Sequence, residues 1–127
     1  MPNFKNLEVA QAARSLTLRI YRETTTFPTH EQFGLTSQIR RAAVSIGANI
    51  AEGCGRGGDK ELARFLTLSL GSSNELEYLL MLASDLGYLR DEELFQVTTS
   101  VSRMLNSFRS TVRRSLKKIK TVRRRVE

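Results

Sequence analysis

The chain has no tryptophan, one histidine, one cysteine and two prolines in 127 residues, and each scarcity removes a class of protein. A lone Cys54 forbids an internal disulfide and suits a reducing compartment. A lone His30 leaves no histidine pair for a zinc site and no paired Glu-x-x-His motifs for a di-iron centre. No apolar run approaches the roughly 18 residues of a membrane span, and the opening "MPNFKNLEVAQAARSL" holds no apolar signal core. A soluble, cytoplasmic protein is expected. After Pro28 no proline interrupts a helix, and no stretch alternates with period two for long enough to make a strand.

What is present is helical periodicity. From Phe4 to Phe27 the apolar residues Leu7, Ala10, Ala13, Leu16, Ile20 and Phe27 recur at helical spacing, and Pro28 ends the run by disfavouring helix at Phe27. Thr29 with Gln32 offers a capping-box pattern. A second helix is expected from about Thr36, carrying Ile39, Ala43, Ile46 and Ile50 to the glycine cluster. A third starts at Gly58 or Asp59 and runs through Leu62, Phe65, Leu66, Leu76 and Leu80 to Leu86, with Gly87 as its C-cap residue. Asp91 opens a fourth, its stripe extending from Leu94 through Val112 and Leu116 to Ile119, Val122 and Val126. Four long helices with short links predict an all-α, antiparallel up-down-up-down four-helix bundle. The body spans residues 1–112 and a basic helical extension or tail spans 113–127.

Two features predict that the bundle associates with further copies. "YLLMLA" is apolar all round the helix, which calls for burial on more than one face. The fourth helix, at 1.5 Å per residue, spans roughly 54 Å against roughly 35 Å for the first, so its apolar stripe overhangs. A homo-oligomer covering Tyr78, Met81, Leu82, Ile119 and Val122 is expected; fraying of the last turns is the alternative.

Charge is distributed unevenly. Residues 1–112 carry twelve basic and twelve acidic groups, while residues 113–127 carry eight basic groups against Glu127, so the net charge of +7 lies wholly in the tail. A dense run of Lys and Arg neutralises phosphates and releases counterions without needing a particular sequence. Arg113, Lys117, Lys120 and Arg124 share one helix face, joined by Arg114, Lys118, Arg123 and Arg125. Nucleic acid is the favoured partner; an acidic protein or an anionic membrane surface is the alternative, the latter disfavoured by the absence of aromatics from the apolar face.

The stretch "AEGCGRGGDK" meets the dinucleotide pattern as Gly53-x-Gly55-x-x-Gly58. That pattern works only where the glycines follow a strand of a parallel sheet, and here they follow a helix. They are expected to form a helix–helix corner, with Arg56 able to touch a phosphate at the start of the next helix. Asn49 and Glu52 could form a polar site or serve the helix ends. Cys54 with His30 is conceivable as nucleophile and base, but no motif supports it. No catalysis, cofactor or metal is expected.

The run "FGLTSQIRRAAVSIGANIAEGCGRGGDKELARFLTLSLGSSNELE", with the later "LGYL", resembles the 23S rRNA intervening-sequence protein family over about residues 4–115. The resemblance implies a small bacterial four-helix bundle, assembled as a ring-like homopentamer, with a nucleic-acid-binding role and no established catalysis. The family is also similar to accessory proteins of diversity-generating retroelements. Arg40, Arg41 and Arg56 stand at family-typical positions, where they contact phosphate or pair with Glu31, Glu52 or Glu61 at small energetic gain. Ala10, Gly47 and Cys54 depart from the family's tryptophan, proline and aromatic. The favoured function is RNA association by a non-catalytic oligomer; the alternative is an adaptor that recruits a protein partner.

Overall fold

In the computed structural model, which describes residues 3–126, four α-helices follow one another: α1 (Glu8–Glu23), α2 (Leu35–Gly55), α3 (Asp59–Asp85) and α4 (Glu92–Val126). There is no strand among the described residues. Neighbouring helices run antiparallel, because residue numbers rise along one as they fall along its partner. Thr17 Oγ1 donates to Ala43 O at 3.1 Å, and Arg40 Nε to Thr24 Oγ1 at 2.9 Å, across α1 and α2 or the turn after α1. Ser69 Oγ donates to Ile46 O at 2.7 Å, and Gly53 lies against Phe65, across α2 and α3. Ser73 bonds Ser102, and Arg109 donates to Thr67 at 3.4 Å, across α3 and α4. Leu16, Ile46, Leu66, Leu80, Leu94 and Leu105 are fully buried between them. The bundle is the expected one.

Helix α1 is shorter than its periodicity suggests. Phe4–Asn6 form a separate 3-10 turn, capped by Asn3 Oδ1 accepting from Lys5 N–H, and Leu7 is extended. At the other end three consecutive threonines stop the helix in a second 3-10 turn, Thr24–Thr26. Their hydroxyls donate back to Ile20 O, Arg22 O and Glu23 O, the local competition by which threonine weakens a helix. Phe27 is extended before Pro28, as expected. The capping box proposed for Thr29 and Gln32 is absent: Thr29–Glu31 form a 3-10 turn with no side-chain cap, closed by Gln32 N–H donating to Thr29 O.

The glycine cluster divides into two roles. Helix α2 continues through Gly53 and Gly55, so the turn to α3 comprises only residues 56–58, with Gly57 at φ +90°. Gly53 instead serves packing: a Cβ there would stand 2.7 Å from Phe65 Cβ and 3.2 Å from Leu62 Cδ1. The sequence pattern of a dinucleotide loop is therefore met by two helical residues and a turn residue. Gly87, at φ +80°, closes α3. Tyr88 N–H reaches Ala83 O at 2.9 Å and Gly87 N–H reaches Ser84 O at 3.0 Å, the paired bonds of a Schellman cap.

Asp91 opens α4, accepting from Glu93 N–H through Oδ1 at 3.1 Å. Its other oxygen holds Arg19 at 2.5 Å, and Glu93 holds the same guanidinium at 3.1 Å. Arg19 thus ties α1 to the start of α4.

Gly53→Ala is expected to cost about 1–3 kcal/mol by forcing a methyl into a β-carbon that cannot move aside. Gly55→Ala, whose Cβ would meet nothing within 4 Å, is expected to be neutral or slightly stabilising through helix propensity. Urea unfolding of both variants checks the contrast; equal stability would remove Gly53 from the packing argument. The hydrogen bond from Arg19 also holds the Asp91 carboxyl below the usual carboxylate range. That contribution is present above the ordinary value of about 3.9 and lost as pH falls through the depressed one. The stability advantage of the native chain over Asp91→Asn should therefore shrink below about pH 4, which thermal melts across pH read directly.

Candidate nucleic-acid interface

Helix α4 leaves the bundle partway along its length. Val112 is buried and Leu116 still packs on the core, but every described residue from Lys117 to Val126 is exposed. Ten residues of helix project roughly 15 Å beyond the last contact. Arg113, Arg114, Lys117, Lys118, Lys120, Arg123, Arg124 and Arg125 all lie in solvent, and none enters a salt bridge among the described residues. Arg114 makes one contact, a 3.3 Å bond to Thr111 on its own helix. Along the same projection Ile119, Val122 and Val126 form an exposed apolar edge.

The three arginines outside the extension are separated. Arg56 lies in the α2–α3 turn, at the end of the bundle from which α4 projects. It is occupied there, donating to Glu52 at 2.8 Å and lying 5.1 Å from the Phe65 ring centroid. Arg40 and Arg41 stand near the other end, beside the turn that follows α1. Arg40 donates to Thr24 Oγ1 and, at 3.4 Å, to Tyr21 O, with its guanidinium 4.7 Å from the Tyr21 ring centroid. Arg41 is exposed and makes no ion pair or hydrogen bond among the described residues. Since the α1 C-terminal half meets α4 at Asp91 and Glu93, the stretch from there to Lys117 measures roughly 36 Å at 1.5 Å per residue.

Other sequence candidates resolve into structure. Asn49 Nδ2 donates to Ser45 O at 2.8 Å and Ser45 Oγ at 3.0 Å, while Glu52 pairs with Arg56. Cys54 is buried and His30 lies by Tyr88, so the two do not form a nucleophile–base pair. Burial pushes the Cys54 thiol up, away from the thiolate that nucleophilic chemistry needs. Of "YLLMLA", Leu79, Leu80 and Ala83 are buried and Leu82 is half-buried, while Tyr78 and Met81 are 60% and 53% exposed. Within one chain this segment buries a single face.

Two surface hollows escaped the sequence reading. One, of about 440 Å³, lies between α1 and α2 and is lined by Phe4, Ala10, Leu18, Val44 and Gly47 among others. The other, of about 570 Å³, opens at the start of α2 and includes Tyr21, Phe33, Thr36, Arg40 and Arg41. Only the arginines had been singled out; the usable signal was an aromatic beside Gly34 in a turn rather than in a helix stripe.

The comparisons with known proteins agree with this architecture. The family described as 23S rRNA-intervening sequence protein matches residues 5–107. A crystal structure of a protein of unknown function from the S23 ribosomal protein family, from Bacteroides thetaiotaomicron, is 25% identical. It covers 80% of this chain and 95% of its own, with a TM-score of 0.73. No curated protein matches the chain. The family match ends before Arg113 and so leaves out the projecting helix. Among the described residues no helix is long and apolar enough to cross a membrane.

Native Cys54 is expected to react with iodoacetamide at pH 8 at least tenfold more slowly than the denatured chain, because burial opposes both access and ionisation. Mass spectrometry of timed aliquots measures it; equal rates would restore Cys54 as a reactive group.

Proposed function

The chain belongs to the 23S rRNA-intervening sequence protein family, and on that premise we propose that it is a non-catalytic cytoplasmic protein that binds nucleic acid, RNA in preference to DNA. The observation that carries the reading is the last stretch of α4, Arg113–Val126, where eight cations stand in solvent and no acidic residue occurs. Such an array binds the phosphate backbone by counterion release and reads no sequence. The preference for RNA comes from the family's association with rRNA genes.

The proposed protein works as a homo-oligomer, with five copies favoured by the family resemblance. Tyr78, Met81 and Leu82 on α3 and Ile119 and Val122 on α4 supply apolar surface for contacts between copies. If the chain instead recruits a protein, the exposed Tyr78, Met81, Ile119 and Val122 are the surface that favours an adaptor role.

The test is fluorescence anisotropy of a labelled rRNA fragment, at several salt concentrations, with the native chain and a full-length variant. In the variant Lys117, Lys118, Lys120, Arg123, Arg124 and Arg125 are all replaced by glutamine. Light scattering on both proteins monitors assembly. The native chain should bind with a steep loss of affinity as salt rises, and the variant should lower the slope of log K against log salt by up to about four, at ~0.7 per single-strand phosphate contact. A native chain that fails to bind at physiological salt would overturn the nucleic-acid reading in favour of the adaptor.

A further inference from the structure

The hollow at the start of α2 has the parts of a nucleotide site. It is lined by Tyr21, Gln32, Phe33, Thr36, Ser37, Arg40, Arg41, Val44 and Ser45, with no Asp or Glu among the described residues that line it. Phe33 is 91% exposed in the turn before α2, a position where an aromatic ring contributes nothing to the core. The first intrahelical bond of α2 runs from Gln38 N–H to Gly34 O at 3.1 Å, so the Thr36 and Ser37 amides begin the helix with no acceptor in it. Glu31 Oε1 accepts at 3.5 Å from the Leu35 amide only. Thr36 is only 6% exposed, yet its hydroxyl has no hydrogen-bond partner among the described residues. A buried hydroxyl left without a partner costs about 1–3 kcal/mol, and Thr36 lines the hollow.

The two arginines complete the set. Arg40 is fixed by Thr24 and Tyr21 through two of its five N–H donors, so its remaining donors are held in place beside the hollow. Arg41 is free to close on a ligand. Orphan amides at the head of a 21-residue helix, an orphan hydroxyl and two guanidinium groups together suit a phosphate. An exposed aromatic ring beside them suits the base attached to it.

We propose that this hollow binds one nucleotide of a single-stranded nucleic acid, the phosphate held by Thr36, Ser37, Arg40 and Arg41 and the base stacked on Phe33. The proposal rests on the nucleic-acid reading above and adds a preference for single strands, since a base must leave its duplex stack to lie on Phe33. The site is distinct from the projecting end of α4, which lies at the opposite end of the bundle.

The absence of tryptophan from the chain makes a direct test available. Phe33→Trp places the sole indole at an exposed position that the fold does not use. The full-length variant is titrated with a fluorescein-free oligouridylate while indole emission is recorded; a labelled copy of the same oligomer reports total binding by anisotropy. Inorganic phosphate alone and a duplex of equal charge are the controls. Stacking should quench the indole on adding the single strand but not with phosphate or duplex. Phe33→Ala should weaken single-strand binding roughly five- to a hundredfold at constant salt slope, and Arg41→Gln should reduce the slope by about one single-strand contact. Anisotropy that rises while indole emission stays unchanged would overturn the proposal and leave the α4 reading intact. Loss of single-strand and duplex binding together in Phe33→Ala would overturn it too. No binding by either measure would overturn both readings.

Discussion

The close approach of α2 and α3 at Gly53 is the constraint on which the rest of the molecule depends. With Phe65 Cβ and Leu62 Cδ1 already within contact of where a side chain would begin, the two helices can pack this tightly only over a residue without Cβ. The seam continues through small polar residues rather than large apolar ones. Ser69 donates to Ile46 O, and Ser45 bonds Ser72 at 2.8 Å, which satisfies polar groups that would otherwise be costly to bury. On the far side of α3, Ser73 bonds Ser102. Helix α3 is thereby held on both flanks by hydrogen bonds of fixed geometry. The direction of α2, and so the place of its first turn, follows from the seam, as does the line along which α4 leaves the bundle.

Charge is arranged to the same division. In the body, ions neutralise one another locally: Arg19 with Asp91 and Glu93, Arg56 with Glu52, Arg64 with Glu61 at 2.7 Å. The projecting end of α4 has no such partners among the described residues. Like charges three or four residues apart on a helix each cost about 0.2–0.5 kcal/mol, and the extension contains several such pairs. Cations at a helix C-terminus gain about 0.3–1 kcal/mol from the macrodipole, which offsets part of that repulsion in the last turn, at Arg123, Arg124 and Arg125. The middle of the extension, at Lys117, Lys118 and Lys120, lies too far from the terminus for that relief. A polyanion laid along it removes the repulsion that the helix itself cannot.

Much of the architecture was legible because its signals are periodic. The buried stripes of α2, α3 and α4 follow heptad-like spacing, and Gly87 and Asp91 carry local capping chemistry that needs no tertiary context. The errors arose where local and tertiary preferences compete. Thr24, Thr25 and Thr26 are weak helix formers individually, but their combined back-bonding ends α1 earlier than its apolar pattern suggests. Gly53 reads as a turn residue, whereas the neighbour that requires it, Phe65, is twelve positions away. The eight cations of the extension were visible as composition. The hollow before α2 was not, because Tyr21, Phe33 and Arg41 meet only once the chain has folded back after α1, and because the partnerless state of Thr36 is a fact of packing.

The two proposed contacts with nucleic acid differ in what they can contribute. Phosphate contacts by a projecting helix supply affinity and speed of association without discrimination, whereas a base on an aromatic ring discriminates a free strand from a paired one. Either alone is weak in one respect: the extension cannot tell a duplex from a single strand, and one stacked nucleotide supplies little affinity. Roughly 36 Å along the bundle separates their levels, so a very short strand reaches only one of them at a time. A strand long enough to span both converts the second contact into an intramolecular event, and its affinity then rises with no new contact type. Length dependence in a single copy thus follows from the antiparallel register that sets the two sites at opposite ends, which in turn follows from the seam at Gly53.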